Sequence, residues 1–248
     1  MDILHASTKM KKKYKLLLHL GLPKTATTSL QDNLLIALDK EGDINFLGAS
    51  RSRSKVKHYP FESISRGVFK SLSPRKINNL RSKAELLLDE NRLNVLSEES
   101  FSHSMVVDIE KVFYNLSRIF CNCEIHVFVS LRSPVSMMFS YYVESYYMFL
   151  KKELNSFQKF TDVFLNDSKN KKYLQFQYEQ YLPLVDKYFS KKTVILFEDL
   201  KKDKSFYFKQ ISKLLGYEEE KENKIEKIFL LEHLNTKDKI TGGKISYK

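Results

Sequence analysis

Residues 14–31 read YKLLLHLGLPKTATTSLQ, an apolar run followed by a short turn and a threonine-rich segment. The run Tyr14–Leu20 predicts a buried strand. Beyond the turn, four leucines share one face of a predicted helix: Leu30, Leu34, Leu35 and Leu38. A helix that begins directly after a strand offers its unpaired N–H groups and the positive end of its dipole to an anion. The stretch therefore predicts an α/β fold with an anion site at Pro23–Ser29.

The rest of the chain repeats this alternation of apolar runs and helical patterns. Further strands are predicted at Leu93–Leu96, Glu124–Leu131 and Thr193–Phe197. Helices are predicted over the segments between and after them: Pro74 to about Asn91, about Val135 to Leu150, Leu154–Phe189 and about Ser205 to Leu215. Alternating strands and helices form parallel sheets with helices on their faces. We therefore predict a three-layer α/β/α fold with a central, mainly parallel sheet.

Length and composition fit one domain over residues 1–248, with a core at about 14–216. Residues 236–248 have no apolar periodicity, and we expect them to form a basic, mobile tail. The net charge of +12 favours encounters with anionic ligands. A basic nucleic-acid-binding protein is the alternative from another class. The lysines and arginines are scattered, however, rather than clustered on one helix, so no nucleic-acid partner is expected.

Two features indicate the compartment. Cys121 and Cys123 are the two cysteines, and their spacing predicts reduced structural thiols. The apolar run Leu16–Leu22 is too short to span a bilayer, so no transmembrane segment is predicted there. We expect a soluble, cytoplasmic protein. The sequence does not predict the oligomeric state.

The turn itself carries the chemistry of an anion site. Lys24 supplies a full positive charge, and hydroxyl donors follow it at Thr25, Thr27, Thr28 and Ser29. The spacing is not that of a Walker A loop, in which the lysine stands directly before a serine or threonine at the end of the motif. The chief alternative enzyme is a P-loop kinase or phosphotransferase. Such an enzyme would also carry a magnesium-binding aspartate at the end of a neighbouring strand. The predicted ends carry Ser97-Glu98 and Arg132 instead.

The stretch His19–Gln31 resembles the 5′-phosphosulfate loop of the sulfotransferases that use 3′-phosphoadenosine 5′-phosphosulfate (PAPS). Their usual loop reads Pro-Lys-Thr/Ser-Gly-Thr-Thr, so Ala26 stands where glycine is expected, and its methyl group narrows the approach to the phosphate. The resemblance implies a P-loop NTPase-like fold. It also implies donor-binding residues along the loop, namely Lys24, Thr25, Ala26, Thr27, Thr28 and Ser29.

Two further motifs follow in the family's order. Arg132-Ser133-Pro134 with Ser140 resembles the 3′-phosphate site, and both Arg132 and Ser140 can converge on one phosphate. The element Phe197–Leu200, followed by Leu214-Leu215-Gly216, resembles a structural element in which carboxylates fix a loop or cap. The three motifs together are similar to PAPS-dependent sulfotransferases of the bacterial carbohydrate-sulfotransferase type.

The resemblance implies transfer of a sulfuryl group from PAPS to a hydroxyl or amine by in-line displacement, with PAP as the product. No metal is required in principle. Our hypothesis places Lys24 at the oxygen that bridges phosphate and sulfate. The acceptor is expected to be a saccharide or glycoconjugate, and one or two tyrosines of the aromatic segment Phe139–Phe149 are candidates to line its cleft.

The acceptor needs a general base. Glu98 and Glu99 follow a predicted core strand beside the loop, where catalytic side chains of open α/β sheets lie. One of the two is expected to face the cleft, and we favour Glu98. His58 and His103 are the rivals, since related enzymes use either glutamate or histidine and the unperturbed pKa of histidine suits this role better. His19 lies inside the first strand and is predicted to be a core residue.

Overall fold

In a computed structural model of the chain, five parallel strands form one sheet in the order β2-β3-β1-β4-β5. The structure describes residues 13–48, 61–147, 154–167, 170–217 and 222–231. The strands are β1 (Tyr14–His19), β2 (Ile44–Gly48), β3 (Leu93–Ser97), β4 (Cys123–Leu131) and β5 (Lys192–Leu196).

Helices connect the strands. Helix α1 consists of three consecutive segments, Thr27–Ser29, the π-helical Leu30–Leu35, and Ile36–Lys40. The others are α2 (Glu62–Val68), α3 (Pro74–Glu85), α4 (Ile109–Ile119), α5 (Pro134–Glu144), α6 (Phe157–Asn166), α7 (Tyr178–Tyr188), α8 (Phe197–Lys202), α9 (Lys204–Leu215) and α10 (Glu222–Leu231). Short 3₁₀ segments lie at Glu99–Ser102 and Lys171–Phe176. Within the described ranges, no helix combines the length and apolar character that a membrane span needs.

Both faces of the sheet are buried. Successive side chains of a strand point to opposite faces, and β1 follows this rule: Leu16 and Leu18 join one hydrophobic cluster, whereas Leu17 joins the other. On β4, Val127 belongs to the first cluster and Phe128 to the second. The helices thus cover the sheet on both sides, and the predicted three-layer α/β/α class is confirmed.

Most predicted elements are present, with corrected ends. The strand predicted at Thr193–Phe197 ends one residue earlier, because Phe197 begins helix α8. The helix predicted from Pro74 to about Asn91 ends at Glu85. Between this helix and β3, the Asp89 carboxylate accepts hydrogen bonds from the N–H groups of Asn91 and Arg92, so these residues form a bend rather than a further helical turn.

The central aromatic segment is helical but interrupted. The predicted helix Leu154–Phe189 divides into α6, a 3₁₀ segment and α7, and the side chain of Asn170 caps the 3₁₀ segment through the N–H of Lys172. Helix α5 ends at Glu144, whereas we predicted a helix to Leu150, and residues 148–150 lie outside the described residues. The sequence analysis did not predict β2, α2, α4, α8 and α10.

The strand order places a crevice between β1 and β4. The chain leaves β1 toward β2 on one side, and it leaves the adjacent β4 toward β5 on the other. Ligands of open α/β sheets bind at such a switch point, beyond the carboxyl ends of the strands. The loop Pro23–Ser29 and residue Arg132 follow these two strands, so the fold brings both to one crevice.

Candidate active site

The predicted phosphate loop, Pro23–Ser29 (hereafter the phosphate loop), is tied at its base to the neighbouring strand β4. The N–H of Leu22 donates to the carbonyl of Ser130 at 2.9 Å, and the N–H of Ser130 donates to the carbonyl of Gly21 at 2.6 Å. Gly21 has φ +85°, and a Cβ atom there would lie 3.2 Å from Cα and Cβ of Glu99. Glycine is needed at this position because the segment after β3 approaches so closely.

Two non-glycine residues of the loop have left-handed backbones. Lys24 has φ 69°, and Ala26 has φ 64° and ψ 23° directly before helix α1. A left-handed residue beside a right-handed one turns successive N–H groups toward one concavity, which binds anions. Ala26 stands where the sulfotransferase motif has glycine, the residue that adopts this conformation without steric cost. The backbone at Lys24 and Ala26 thus has the left-handed conformation that such an anion site uses.

The hydroxyl groups of the loop divide into inward and outward sets. Thr25 is buried and donates to the carbonyl of Leu22 at 2.6 Å. Thr27 is buried and donates to the carboxylate of Glu99. Thr28 is exposed and Ser29 is half-buried. Of the predicted hydroxyl donors, Thr25 and Thr27 thus brace the loop, whereas Thr28 and Ser29 lie at its surface.

Arg132 lies against the loop, as the strand order requires. Its Nη1 donates to the carbonyl oxygen of Lys24 at 3.1 Å, and its guanidinium lies over the ring of Phe197, 5.0 Å from the centroid. The hydroxyl of Tyr178 donates to the carbonyl of Arg132 at 2.5 Å. The Lys24 carbonyl and the Phe197 ring thus hold the guanidinium, whereas Tyr178 holds the backbone of Arg132. Ser140 is half-buried on helix α5, two turns into the helix that follows Arg132.

The third motif is structural. The Glu198 carboxylate accepts a hydrogen bond of 2.8 Å from the N–H of Ser133, directly before helix α5. Ser133 is the N-cap residue of that helix, but its own side chain makes no capping hydrogen bond. The interpretation that a carboxylate of Phe197–Leu200 fixes a loop is confirmed.

The two glutamates after β3 face different ways. Glu98 is only 2% exposed and accepts hydrogen bonds from the N–H and the hydroxyl of Ser100, so it caps the 3₁₀ segment. Glu99 accepts from Thr27 in the phosphate loop. Burial raises the pKa of Glu99, whereas the hydrogen bond from Thr27 and the charge of Lys24 oppose this effect by favouring its charged form. This geometry favours Glu99 over Glu98 as the carboxylate that faces the cleft.

The histidines have separate environments. His19 is buried, its Nδ1 lies 2.7 Å from Oγ of Ser97, and burial lowers its pKa to about 3. It is a neutral core residue, as predicted. His103 Nε2 lies 2.9 Å from the hydroxyl of Tyr141. His58 lies outside the described residues.

Sequence reasoning missed one charged neighbour of the loop. Lys24 Nζ lies 3.3 Å from Oε2 of Glu144. Glu144 follows Ser140 by four residues on helix α5, a spacing that places both on one face of a helix. This spacing was the available signal. Among the described residues, no three side chains of His, Cys, Asp or Glu are grouped as a metal site would need.

No protein-family model matches the chain, and no curated protein matches it in sequence. Among solved structures, it is similar to a sulfotransferase from Alicyclobacillus acidocaldarius, with 16% identity and a TM-score of 0.46, over 82% of this chain and 81% of that chain. It is similar to the mouse sulfotransferase SULT7A1 complexed with PAP, with 14% identity and a TM-score of 0.46, over 88% of this chain and 65% of that chain.

A third similar structure is the sulfotransferase domain from the curacin biosynthetic pathway, with 13% identity and a TM-score of 0.43, over 86% of this chain and 77% of that chain. All three are sulfotransferases, the family whose motifs the sequence resembles. With TM-scores below 0.5 and identities of 16% or less, these likenesses assign neither a substrate nor a functional residue to the chain.

Proposed function

We propose that the chain transfers the sulfuryl group of PAPS to a hydroxyl or amine of an acceptor. The observation that carries this proposal is the contact between the two elements that we propose bind anions: Arg132, after β4, donates to the carbonyl of Lys24, in the loop after β1. A nucleotide with phosphates at both the 5′ and the 3′ positions needs two such elements. A simple 5′-nucleotide needs one.

The donor would be held from two sides. The N–H groups at Lys24–Ser29, together with the hydroxyls of Thr28 and Ser29, face the 5′-phosphosulfate. Arg132 and Ser140 take the 3′-phosphate, which a guanidinium binds with two parallel hydrogen bonds. The Lys24 ammonium neutralises the negative charge that develops on the bridging oxygen as the bond from sulfur to that oxygen breaks.

Glu99 supplies the general base in this proposal. Its carboxylate takes the proton of the acceptor hydroxyl or amine as the new bond to sulfur forms, and PAP leaves with the bridging oxygen. A pKa raised by burial suits a carboxylate that must accept a proton near neutral pH. Glu98 is less suited, because its carboxylate is buried against Ser100. The histidines at positions 58 and 103 stay predictions.

A saccharide is the proposed acceptor. Phe139 and Tyr147, on helix α5 and just after it, are 46% and 83% exposed. Exposed aromatic rings stack on sugar faces, and these rings lie on the segment that carries Glu144, the partner of Lys24. The net charge of +12 would favour an acceptor that is itself anionic.

The decisive experiment asks whether the chain distinguishes PAP from adenosine 5′-phosphate. Calorimetry on the wild type is expected to give tighter binding of PAP, because only PAP engages Arg132. Hydrogen bonds to charged groups contribute about 1.5–3 kcal/mol, so Arg132→Ala is expected to weaken PAP binding by about 10- to 100-fold. The binding of adenosine 5′-phosphate should change little.

Arg81→Ala is the matched control. Arg81, on helix α3, also donates to a backbone carbonyl, that of Arg118. It is not part of the phosphate loop. Its loss should leave the preference for PAP intact. The proposal fails if the wild type binds neither PAP nor PAPS. Labelled PAPS offered with glycans, phenols and amines then tests the acceptor class separately.

A further inference from the structure

The ammonium group of Lys24 forms an ion pair with the carboxylate of Glu144. Its Nζ lies 3.3 Å from Oε2 of Glu144, the last residue of helix α5, and the two side chains are 28% and 43% exposed. The carbonyl oxygen of Lys24 accepts a hydrogen bond from Arg132, which precedes the same helix. The backbone and the ammonium of Lys24 are thus both held by the segment from Arg132 to Glu144.

Glu99 belongs to the same electrostatic cluster. Burial raises its pKa most and the hydrogen bond from Thr27 lowers it; the charges of Glu98 and Glu144 raise it further, and that of Lys24 lowers it. The ammonium of Lys24 therefore has a carboxylate on the side of helix α5 and another on the side of the 3₁₀ segment. An anion that approaches Lys24 must compete with Glu144 for it.

We propose that Glu144 is a positioning residue for Lys24. Its carboxylate holds the Lys24 ammonium beside the loop, and it competes with the nucleotide's phosphate and sulfate oxygens for that ammonium. This inference rests on the proposed function of the loop. A half-exposed ion pair contributes little free energy, and the lysine ammonium sits on a flexible stem. Glu144 therefore weakens nucleotide binding and favours the release of PAP after transfer.

The test is the affinity for PAP, measured by calorimetry on Glu144→Gln. Two unit charges about 4 Å apart interact by about 1 kcal/mol even in bulk water, which corresponds to about a fivefold change in affinity. We expect Glu144→Gln to bind PAP more tightly by up to about fivefold, with a smaller gain at high salt. Glu144→Asp, which keeps the charge, is expected to stay near the wild type.

Two comparisons separate this role from a general charge effect. Glu90→Gln removes the same charge from the pair that Lys13 and Glu90 form at 2.6 Å, and it should leave PAP affinity unchanged. In a Lys24→Met background, Glu144→Gln should gain less, because the two residues act through each other.

The results distinguish this inference from the proposed function. If the wild type binds PAP and a folded Glu144→Gln binds it equally or more weakly, the inference is overturned and the proposed function stands. If the wild type binds no PAP, the proposed function fails. Inorganic pyrophosphate then serves as the anion probe, and tighter binding by Glu144→Gln supports the inference, whereas equal or weaker binding overturns it.

Discussion

The two ends of strand β1 carry the same kind of ion pair in different surroundings. At the amino end, Lys13 pairs with Glu90, and both side chains are about half exposed. At the carboxyl end, Lys24 pairs with Glu144 near the half-buried carboxylate of Glu99, whose pKa is raised by burial. The contrast extends to the backbone, since Lys24 is left-handed.

The amino edge of the sheet satisfies its polar groups locally. Asn94 is fully buried, and its amide donates to the carbonyls of Lys15 and Asp89. Its side-chain oxygen accepts from the N–H of Asp89 and from Asn45. The carboxyl edge instead holds left-handed residues and a carboxylate with a raised pKa. Strained backbones and perturbed pKa values concentrate at functional sites, so we assign stability to the amino edge and chemistry to the carboxyl edge.

The largest expected effect comes from Glu99→Gln. Loss of a well-placed general base lowers kcat by about 10²–10⁴, while the affinity for PAP should persist. Because the pKa of Glu99 is raised in the folded chain, deprotonation opposes folding, and this cost appears as the pH rises through that pKa. The variant should therefore be no less stable than the wild type at pH 7, as urea unfolding would measure.

The pH dependence of the wild type sharpens the same assignment. Activity should fall on the acid side at a pH above the ordinary range of a glutamate, because burial raises the pKa of Glu99. Glu98→Gln is the comparison variant at the neighbouring position. If Glu98→Gln loses turnover with PAP affinity intact and Glu99→Gln does not, the assignment of the base is reversed.

Replacing the two lysines tests the comparison directly. Lys24→Ala is expected to lower the rate of sulfuryl transfer by about 10²–10³, the usual effect of losing one charge-stabilising donor. Lys13→Ala removes the same side chain at the other end of β1 and should leave the rate within about twofold, because an exposed pair contributes little. Equal losses in both variants would mean that overall charge, not the site, controls the rate.

A substitution at the amino edge is expected to lower the free energy of unfolding without changing activity. Asn94→Ala leaves buried groups such as the carbonyl of Lys15 without their partner, which costs about 1–3 kcal/mol of unfolding free energy per group. Urea denaturation measures this loss. Transfer activity per folded molecule should not change. A variant with unchanged stability but reduced turnover would contradict the division between the two edges.

The sequence predicted the fold class, and the strand and helix on either side of the loop Pro23–Ser29, because these depend on local patterns; the role of the loop in binding phosphate stays a prediction. The strand follows from the apolar run Tyr14–Leu20 and the helix from the leucines after the turn, and neither pattern depends on contacts with distant parts of the chain. The strand β2 was missed, since Ile44–Gly48 is short and its pairing with β3 is a long-range contact. Glu144 was missed for a similar reason, because its partner Lys24 lies 120 positions earlier.

The smallest expected effect comes from Ala26→Gly, which tests whether the left-handed backbone at this position is strained. Ala26 is left-handed, a conformation that costs a residue with a Cβ atom about 1–2 kcal/mol. Glycine relieves that cost but gives up about 0.5–1 kcal/mol of unfolded-state entropy. Ala26→Gly should therefore raise the unfolding free energy by about 0.5–1 kcal/mol in urea titrations, and PAP affinity should not fall.

Ala37→Gly is the matched control, since Ala37 lies in the same helix α1 at a right-handed position. Glycine there is expected to lower the unfolding free energy by about 1 kcal/mol. Opposite signs for the two variants would place the strain in the phosphate loop, at the carboxyl edge of the sheet. Equal losses would show that Ala26 carries no strain, and the contrast between the two ends of β1 would then rest on charge alone.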